Sequence, residues 1–174
     1  VGIGAGLVDG GRLVRGARGF AGEVGHLPIG QPGARCGCGR QGCWEATIGL
    51  HAVLARVGLA ELDTPEATAR AVADVARRDP AVRAALEEVG VELGKGLAIL
   101  TGVLDPAVIV LGGYFGPLAD VMLAQARDVL ASSLAAPVQE RPDLRPGELG
   151  TESAALGAAE RALAEVYDGS VEVA

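Results

Sequence analysis

Several things are scarce in this chain. Aromatic residues make up 3% of its 174 positions, and there are two histidines, three cysteines and one methionine. Alanine, glycine, valine, leucine and arginine dominate instead, a bias of composition that carries no function by itself. Positive charge is also short: the net charge is −7 and the pI is near 4.8. A surface this acidic repels phosphates, so this stretch is a poor candidate for direct contact with DNA or RNA. No apolar run reaches the ~18 residues of a membrane span, and no signal peptide is recognisable. Three thiols are an odd number and cannot all pair as disulfides, which fits a metal site in a reducing cytoplasm better. Position 1 is Val1, not methionine, and an extended pattern starts there without lead-in. That leads to the expectation of one lobe of a longer protein.

The rare residues that are present are concentrated. His26 and all three cysteines, Cys36, Cys38 and Cys43, fall within eighteen positions. Three thiols and one imidazole are the donor set of a closed tetrahedral zinc site. Glycines at 33, 37, 39 and 42 let the intervening loop turn tightly enough for the sulfurs to converge. Two carboxylates, Glu23 and Glu45, bracket the cluster. With four ligands already supplied, they are free to bind something else. The plainer alternatives are solvated surface carboxylates, or partners of the metal ligands. Zinc that only staples the loop is equally compatible with the spacing. The second histidine, His51, falls on a helical pattern and reads as a surface or half-buried structural residue.

Along the chain, residues 1–14 read as a β-hairpin, with extended runs over 1–8 and 12–14 joined at Asp9-Gly10-Gly11. Gly2, Gly4 and Gly6 share one face of the first run, which is either tightly packed or leaves room for a ligand. Residues 15–45 read as a long irregular loop with a short strand near Leu27–Ile29. Loops of that length inside a compact domain are usually functional. Leu50, Val53, Leu54 and Val57 predict a helix ending at Gly58. Thr64-Pro65 opens a second helix, running to about Arg78. Asp79-Pro80 opens a third, striped by Val82, Leu86, Val89, Leu93, Leu97 and Leu100 and stopped by Asp105-Pro106. The apolar run 107–111 predicts a parallel strand buried on both faces. Gly112-Gly113 ends it, either as a simple turn or as a ligand contact. A helix follows from Pro117 to about Leu134, then a short edge strand over 136–139, then a last helix from Gly150-Thr151-Glu152-Ser153 to about Val166. The predicted fold is an α/β lobe.

Glu23-Val24-Gly25-His26 followed by Cys36-x-Cys38-Gly-x-x-Gly-Cys43-x-Glu45 resembles the signature of the ROK family of sugar kinases and sugar-responsive repressors. Gly2-Ile3-Gly4-Ala5-Gly6-Leu7-Val8 resembles that family's second phosphate-loop hairpin. Val108-Ile109-Val110-Leu111-Gly112-Gly113 resembles its nucleotide-side strand and turn. The cysteine–histidine motif is highly specific and the glycine motifs are not.

This resemblance implies an actin-like, two-lobed ATPase fold, of which residues 1–174 are the C-terminal lobe. It implies that Glu23, His26 and Glu45 face sugar hydroxyls. His26 would bind zinc through one ring nitrogen and approach the sugar with the other, its tautomer fixed by the metal. Gly4, Gly112 and Gly113 are the weaker candidates for nucleotide contact. The family's other lobe carries an Asp-x-Gly-x-Thr phosphate loop and the aspartate that serves as base on the sugar. Neither is present here, so the resemblance implies no catalytic residue in this chain. Kinase members have a threonine where this chain has Val1. Cys43-Trp44-Glu45-Ala46-Thr47-Ile48-Gly49 also departs from the Glu-x-Tyr-Ala-Ser-Gly run of many kinases and is similar to the regulator branch.

The expectation is therefore a sugar-responsive regulator's effector-binding lobe. It would hold structural Zn2+, bind a sugar or sugar phosphate, and reach DNA only through an N-terminal domain outside this chain. A cytoplasmic homodimer or tetramer with no membrane partner is expected. The alternative is the lobe of an ATP-dependent sugar kinase, for which ATP and Mg2+ would be required.

Overall fold

Helices account for most of the described structure, and local capping chemistry sets several of their ends. The computed structural model describes residues 2–134, 141–167 and 169. In chain order the elements are β1 (Val8–Asp9), β2 (Arg12–Leu13), α1 (Glu45–Ile48), α2 (Leu50–Val57), α3 (Pro65–Ala76), α4 (Pro80–Leu104), β3 (Val108–Leu111), α5 (Phe115–Ser133), β4 (Asp143–Pro146) and α6 (Ser153–Tyr167). Short 3-10 turns occupy Val24–His26 and Gly150–Glu152.

The Thr64 hydroxyl accepts from the Ala67 amide at 3.1 Å, and the Asp79 carboxylate accepts from the Ala81 amide at 2.8 Å. Each satisfies a donor that a helix start leaves without an intrahelical partner, and a proline follows each cap. Gly58 ends α2 in the left-handed conformation (φ 68°) and Asp105 does the same for α4 (φ 44°). These boundaries agree with the sequence reading. Gly49, in extended backbone, separates α1 from α2.

The core is a helical sandwich centred on α4 and α5. Leu86, Val89, Leu93 and Leu97 of α4 meet Leu118, Met122, Ala126 and Leu130 of α5, all buried. The two helices approach closely at Gly90 and Gly94. A side chain at either position would strike the backbone of Met122 or Ala126. Val53 and Leu54 of α2 and Ala69, Val72 and Ala76 of α3 close the same core.

β3 and β4 pair in parallel, Val108 opposite Asp143 through Leu111 opposite Pro146, with α5 as the crossover between them. The Arg127 guanidinium donates twice to the Leu144 carbonyl, at 3.1 and 2.6 Å, and ties α5 onto β4.

Four expectations change. Only residues 8–9 and 12–13 of the first segment pair as strands; the preceding glycine-rich run is not a strand. Its backbone groups are engaged elsewhere, Ile3 with the Glu45 carboxylate and Ala5 with the Gly22 carbonyl. No strand forms at Leu27–Ile29, because Leu27 instead accepts from the Trp44 amide across the loop. β3 is not buried on both faces: Val108 is 42% and Val110 56% exposed, while Leu111 is buried. Finally, α5 starts at Phe115, two residues ahead of Pro117. The strand expected over 136–139 lies outside the described residues, and the sequence reading missed β4 at 143–146. No described helix is long and apolar enough to cross a membrane.

Candidate metal centre

The loop between β2 and α1 folds around its cysteines. The Cys36 amide donates to the Arg40 carbonyl at 2.9 Å, the Gly39 amide to the Cys36 carbonyl at 3.0 Å, and the Gly42 amide to the Ala34 carbonyl at 2.9 Å. Arg35 and Gln41 form an antiparallel bridge, so residues 34–42 make a small knuckle. It requires positive φ at Gly39 (88°) and Gly42 (76°), a conformation that costs other residues energy.

This knuckle delivers Cys36, Cys38 and Cys43 to one point, and the 3-10 turn over Val24–His26 brings His26 to the same place. One donor atom from each of the four lies within 4.8 Å of the others. The Cys38 and Cys43 sulfurs are 3.7 Å apart, and the Cys36 sulfur is 3.7 Å from His26 Nδ1. A tetrahedron with zinc–sulfur bonds of about 2.3 Å has sulfur–sulfur edges of about 3.8 Å. A disulfide would instead hold its sulfurs at about 2.0 Å. The donor set and its spacing therefore fit a tetrahedral ion, and this cluster could hold a metal.

The thiols are not equivalent. Hydrogen bonds from Arg40, first from its backbone and then from its side chain, lower the Cys38 pKa to about 6. Burial, followed by hydrogen bonding among the thiols, raises Cys43 to about 11. Cys43 is 1% exposed, and its proton leaves most readily when a cation arrives to replace it.

The bracketing carboxylates occupy different positions. Glu23 Oε2 is 3.8 Å from His26 Nε2, while His26 Nδ1 lies 3.7 Å from the Cys36 sulfur. Glu23 is well exposed and His26 half-buried. Glu45 opens α1 two residues after Cys43. Its Oε2 accepts from the Ile3 amide at 2.7 Å, and its Oε1 lies 3.7 Å from the Cys36 sulfur. The two carboxylates thus flank the candidate metal cluster, Glu23 beside His26 and Glu45 beside Cys36. The partner role that the sequence left open for the carboxylates is, for Glu45, visible in these contacts.

The candidate nucleotide residues divide between two places. Gly4 lies against the loop, near the Gly22 carbonyl. Gly112 and Gly113 close β3 beside a cavity of about 290 Å³, lined by Val110, Gly147, Leu149, Gly150 and Ser153 among others. His51 is exposed on α2, 3.7 Å from Glu61, as expected of a surface residue.

Other side chains join the loop to the helices, and of these Thr47 and Tyr114 did not stand out in the sequence. The Thr47 hydroxyl accepts from the Gln31 amide at 2.6 Å and joins the loop to α1. The Trp44 indole donates to the Glu92 carbonyl at 3.1 Å and joins the loop to α4. The buried Tyr114 hydroxyl donates to the Ile48 carbonyl at 2.6 Å. A threonine or tyrosine in a helical context carries no local signal of such a partner.

Known proteins are similar to this chain in sequence and in fold. The xylose repressor of Bacillus spizizenii is 31% identical over 157 residues, which cover 90% of this chain and 40% of the repressor. The glucokinase of Streptomyces coelicolor is 32% identical, over 92% of this chain and 56% of the enzyme. The solved structure of a ROK family glucokinase from Streptomyces griseus, in complex with glucose and AMPPNP, superimposes with a TM-score of 0.79 at 27% identity. That superposition covers 92% of this chain and 57% of the glucokinase, and it supports the actin-like ATPase fold. The chain thus spans about two fifths to three fifths of these relatives' lengths. The ROK sequence pattern itself matches residues 1–165, from the glycine-rich first segment into α6, and with that match the chain belongs to the ROK family.

Proposed function

We propose that this chain is the effector-binding lobe of a sugar-responsive transcriptional regulator. It carries Zn2+ on His26, Cys36, Cys38 and Cys43 and meets the sugar with Glu23, His26 and Glu45. The observation that carries the reading is the two-sided placement of His26. Nδ1 faces the Cys36 sulfur at 3.7 Å while Nε2 faces Glu23 at 3.8 Å. A metal ion on Nδ1 leaves the proton on Nε2, a donor of fixed direction. A carboxylate beside that donor supplies the acceptor that an adjacent sugar hydroxyl needs. Apolar ligands gain nothing from such a pair.

The regulator reading is supported by the xylose repressor among the relatives, by Val1 at the phosphate-loop threonine position, and by the Trp44–Gly49 run. In it, sugar bound between two lobes favours one lobe and subunit arrangement and so alters DNA affinity, a population shift. DNA contact falls to another part of the protein, since this lobe is acidic.

A sugar kinase is the second reading, and a specific observation supports it: the cavity beside Gly112-Gly113. Under that reading the turn, with Gly4, would meet ATP and Mg2+, and the other lobe would supply the base. Two assays on the intact protein separate the readings. The regulator predicts operator binding whose affinity changes when sugar is added, without turnover. Robust ATP-dependent phosphorylation of a hexose, an N-acetylhexosamine or xylose would overturn it in favour of the kinase.

A further inference from the structure

Glu45 stands on α1, a helix of four residues. A helix this short cannot hold its own geometry, because too few intrahelical bonds offset the ordering of its backbone. Its direction must come from outside. At its start, the neighbouring Trp44 is anchored on α4. At its end, the Ile48 carbonyl is one of the acceptors that a helix terminus leaves without a helical partner. The Tyr114 hydroxyl supplies that partner at 2.6 Å, across 66 positions of sequence.

Tyr114 suits the task. It is 3% exposed, so water does not compete for the bond. Its ring stacks on Phe115, with centroids 4.4 Å apart, which limits its freedom. Burial, and then the nearby Glu45 carboxylate, hold its pKa well above the ordinary tyrosine value. At neutral pH the hydroxyl is protonated, as in any tyrosine, and donates. Tyr114 also follows directly on Gly112-Gly113, so the bond joins the turn after β3 to the helix that carries Glu45.

We propose that Tyr114 is a positioning residue for the sugar site: by holding the Ile48 carbonyl it fixes α1 and aims the Glu45 carboxylate. This deepens the sugar-binding reading given above and rests on it. Glu45 has an observable partner that does not depend on sugar, the Ile3 amide, which donates to Oε2 at 2.7 Å. Displacing α1 weakens that bond, whatever the ligand.

Tyr114→Phe removes the hydroxyl and keeps the stacked ring. In the intact, zinc-loaded protein, amide exchange at Ile3 is measured by NMR, with Glu45→Gln as reference. The expected result is exchange at Ile3 about fivefold faster in Tyr114→Phe, the equivalent of one ordinary hydrogen bond, with Val89 and Leu93 of α4 unchanged. Unchanged exchange at Ile3, or equal acceleration in the α4 core, overturns the proposal. Calorimetric titration with D-glucose and D-xylose supplies the second readout. Tyr114→Phe should weaken binding in the wild-type background and add nothing in the Glu45→Gln background. An equal loss in both backgrounds means that Tyr114 does not act through Glu45 and also overturns the proposal. If neither sugar binds the wild type, these two sugars are not its ligands, and the Ile3 exchange still decides whether Tyr114 positions Glu45.

Discussion

Trp44 and Gly96 share one space: the indole ring occupies the position that a side chain on Gly96 would take. The ring is buried at 3% exposure, and its N–H reaches the Glu92 carbonyl one turn earlier on the same helix. Because Trp44 directly follows Cys43, this contact seats the metal loop on α4.

Gly96→Ala should therefore destabilise the protein although alanine is the better helix former. Overpacking of this kind costs about 1–3 kcal/mol, more than the ~1 kcal/mol that alanine gains over glycine in a helix interior. Denaturant unfolding of wild type and variant is the measurement. A variant as stable as wild type would show that the Trp44 ring can move aside.

The geometry of the four donors predicts one zinc ion per chain. Elemental analysis after metal-replete expression should return a single equivalent for wild type. Cys38→Ser, which removes an exposed ligand and disturbs no core, should lose most of it. Full zinc content in that variant would remove Cys38 from the ligand set.

Chelation should loosen residues 23–45 before it affects the helices. The loop's largest buried contributions are Cys36, Cys43 and Trp44, and its remaining order comes from backbone hydrogen bonds between turns. Metal ligation is then much of its folding free energy. Hydrogen exchange with and without chelator should show protection lost first across 23–45. Equal protection in the two states would mean that the knuckle stands without metal.

Glu45→Gln should retain zinc and weaken sugar binding by about 1–3 kcal/mol, the usual range for a charge-assisted hydrogen bond. Calorimetry on the intact protein tests it. Unchanged affinity with zinc retained would limit Glu45 to its contacts with Ile3 and Cys36.

A further prediction concerns acid. Glu66 accepts from Arg70 on α3 and from the Thr151 hydroxyl at 3.2 Å, and these bonds, Arg70 first, lower its pKa from the ordinary glutamate value. A carboxylate with a depressed folded-state pKa contributes stability that is full above its unfolded value. That contribution is lost as pH falls through the folded pKa. Glu66→Gln should therefore flatten the decline in stability below about pH 4.5 and, because the group is exposed, only slightly. Parallel acid titrations of thermal midpoint would show it; identical slopes would mean that neither the Arg70 nor the Thr151 bond to Glu66 is maintained in solution.

Much of the candidate site could be read directly from residue order. The Glu23–His26 and Cys36–Glu45 segments are short, their glycines fit only a tight knuckle, and three thiols with one imidazole have few other uses. Helix starts at Thr64 and Asp79 were equally legible, because a cap and its amide partner lie within three residues. Strands were less legible. The run 107–111 is apolar at every position, yet whether both faces are covered depends on neighbours elsewhere in the chain, and here Val108 and Val110 are open. β4, with the sequence Asp-Leu-Arg-Pro, has one buried residue and no periodicity to recognise.

The sequence by itself determined the donor set of the candidate metal site, the family signature and the helix boundaries at Gly58, Thr64, Asp79 and Asp105, since each depends on residues within one turn or one loop of each other. Only the tertiary structure decided what holds that site in place. Trp44 meets Glu92 across 48 positions, Glu45 meets Ile3 across 42, and Tyr114 meets Ile48 across 66. Hydrogen bonds of this kind have no local pattern. They exist because packing brings residues distant in sequence next to one another, and only the Tyr114–Ile48 bond is fully buried, where water does not compete.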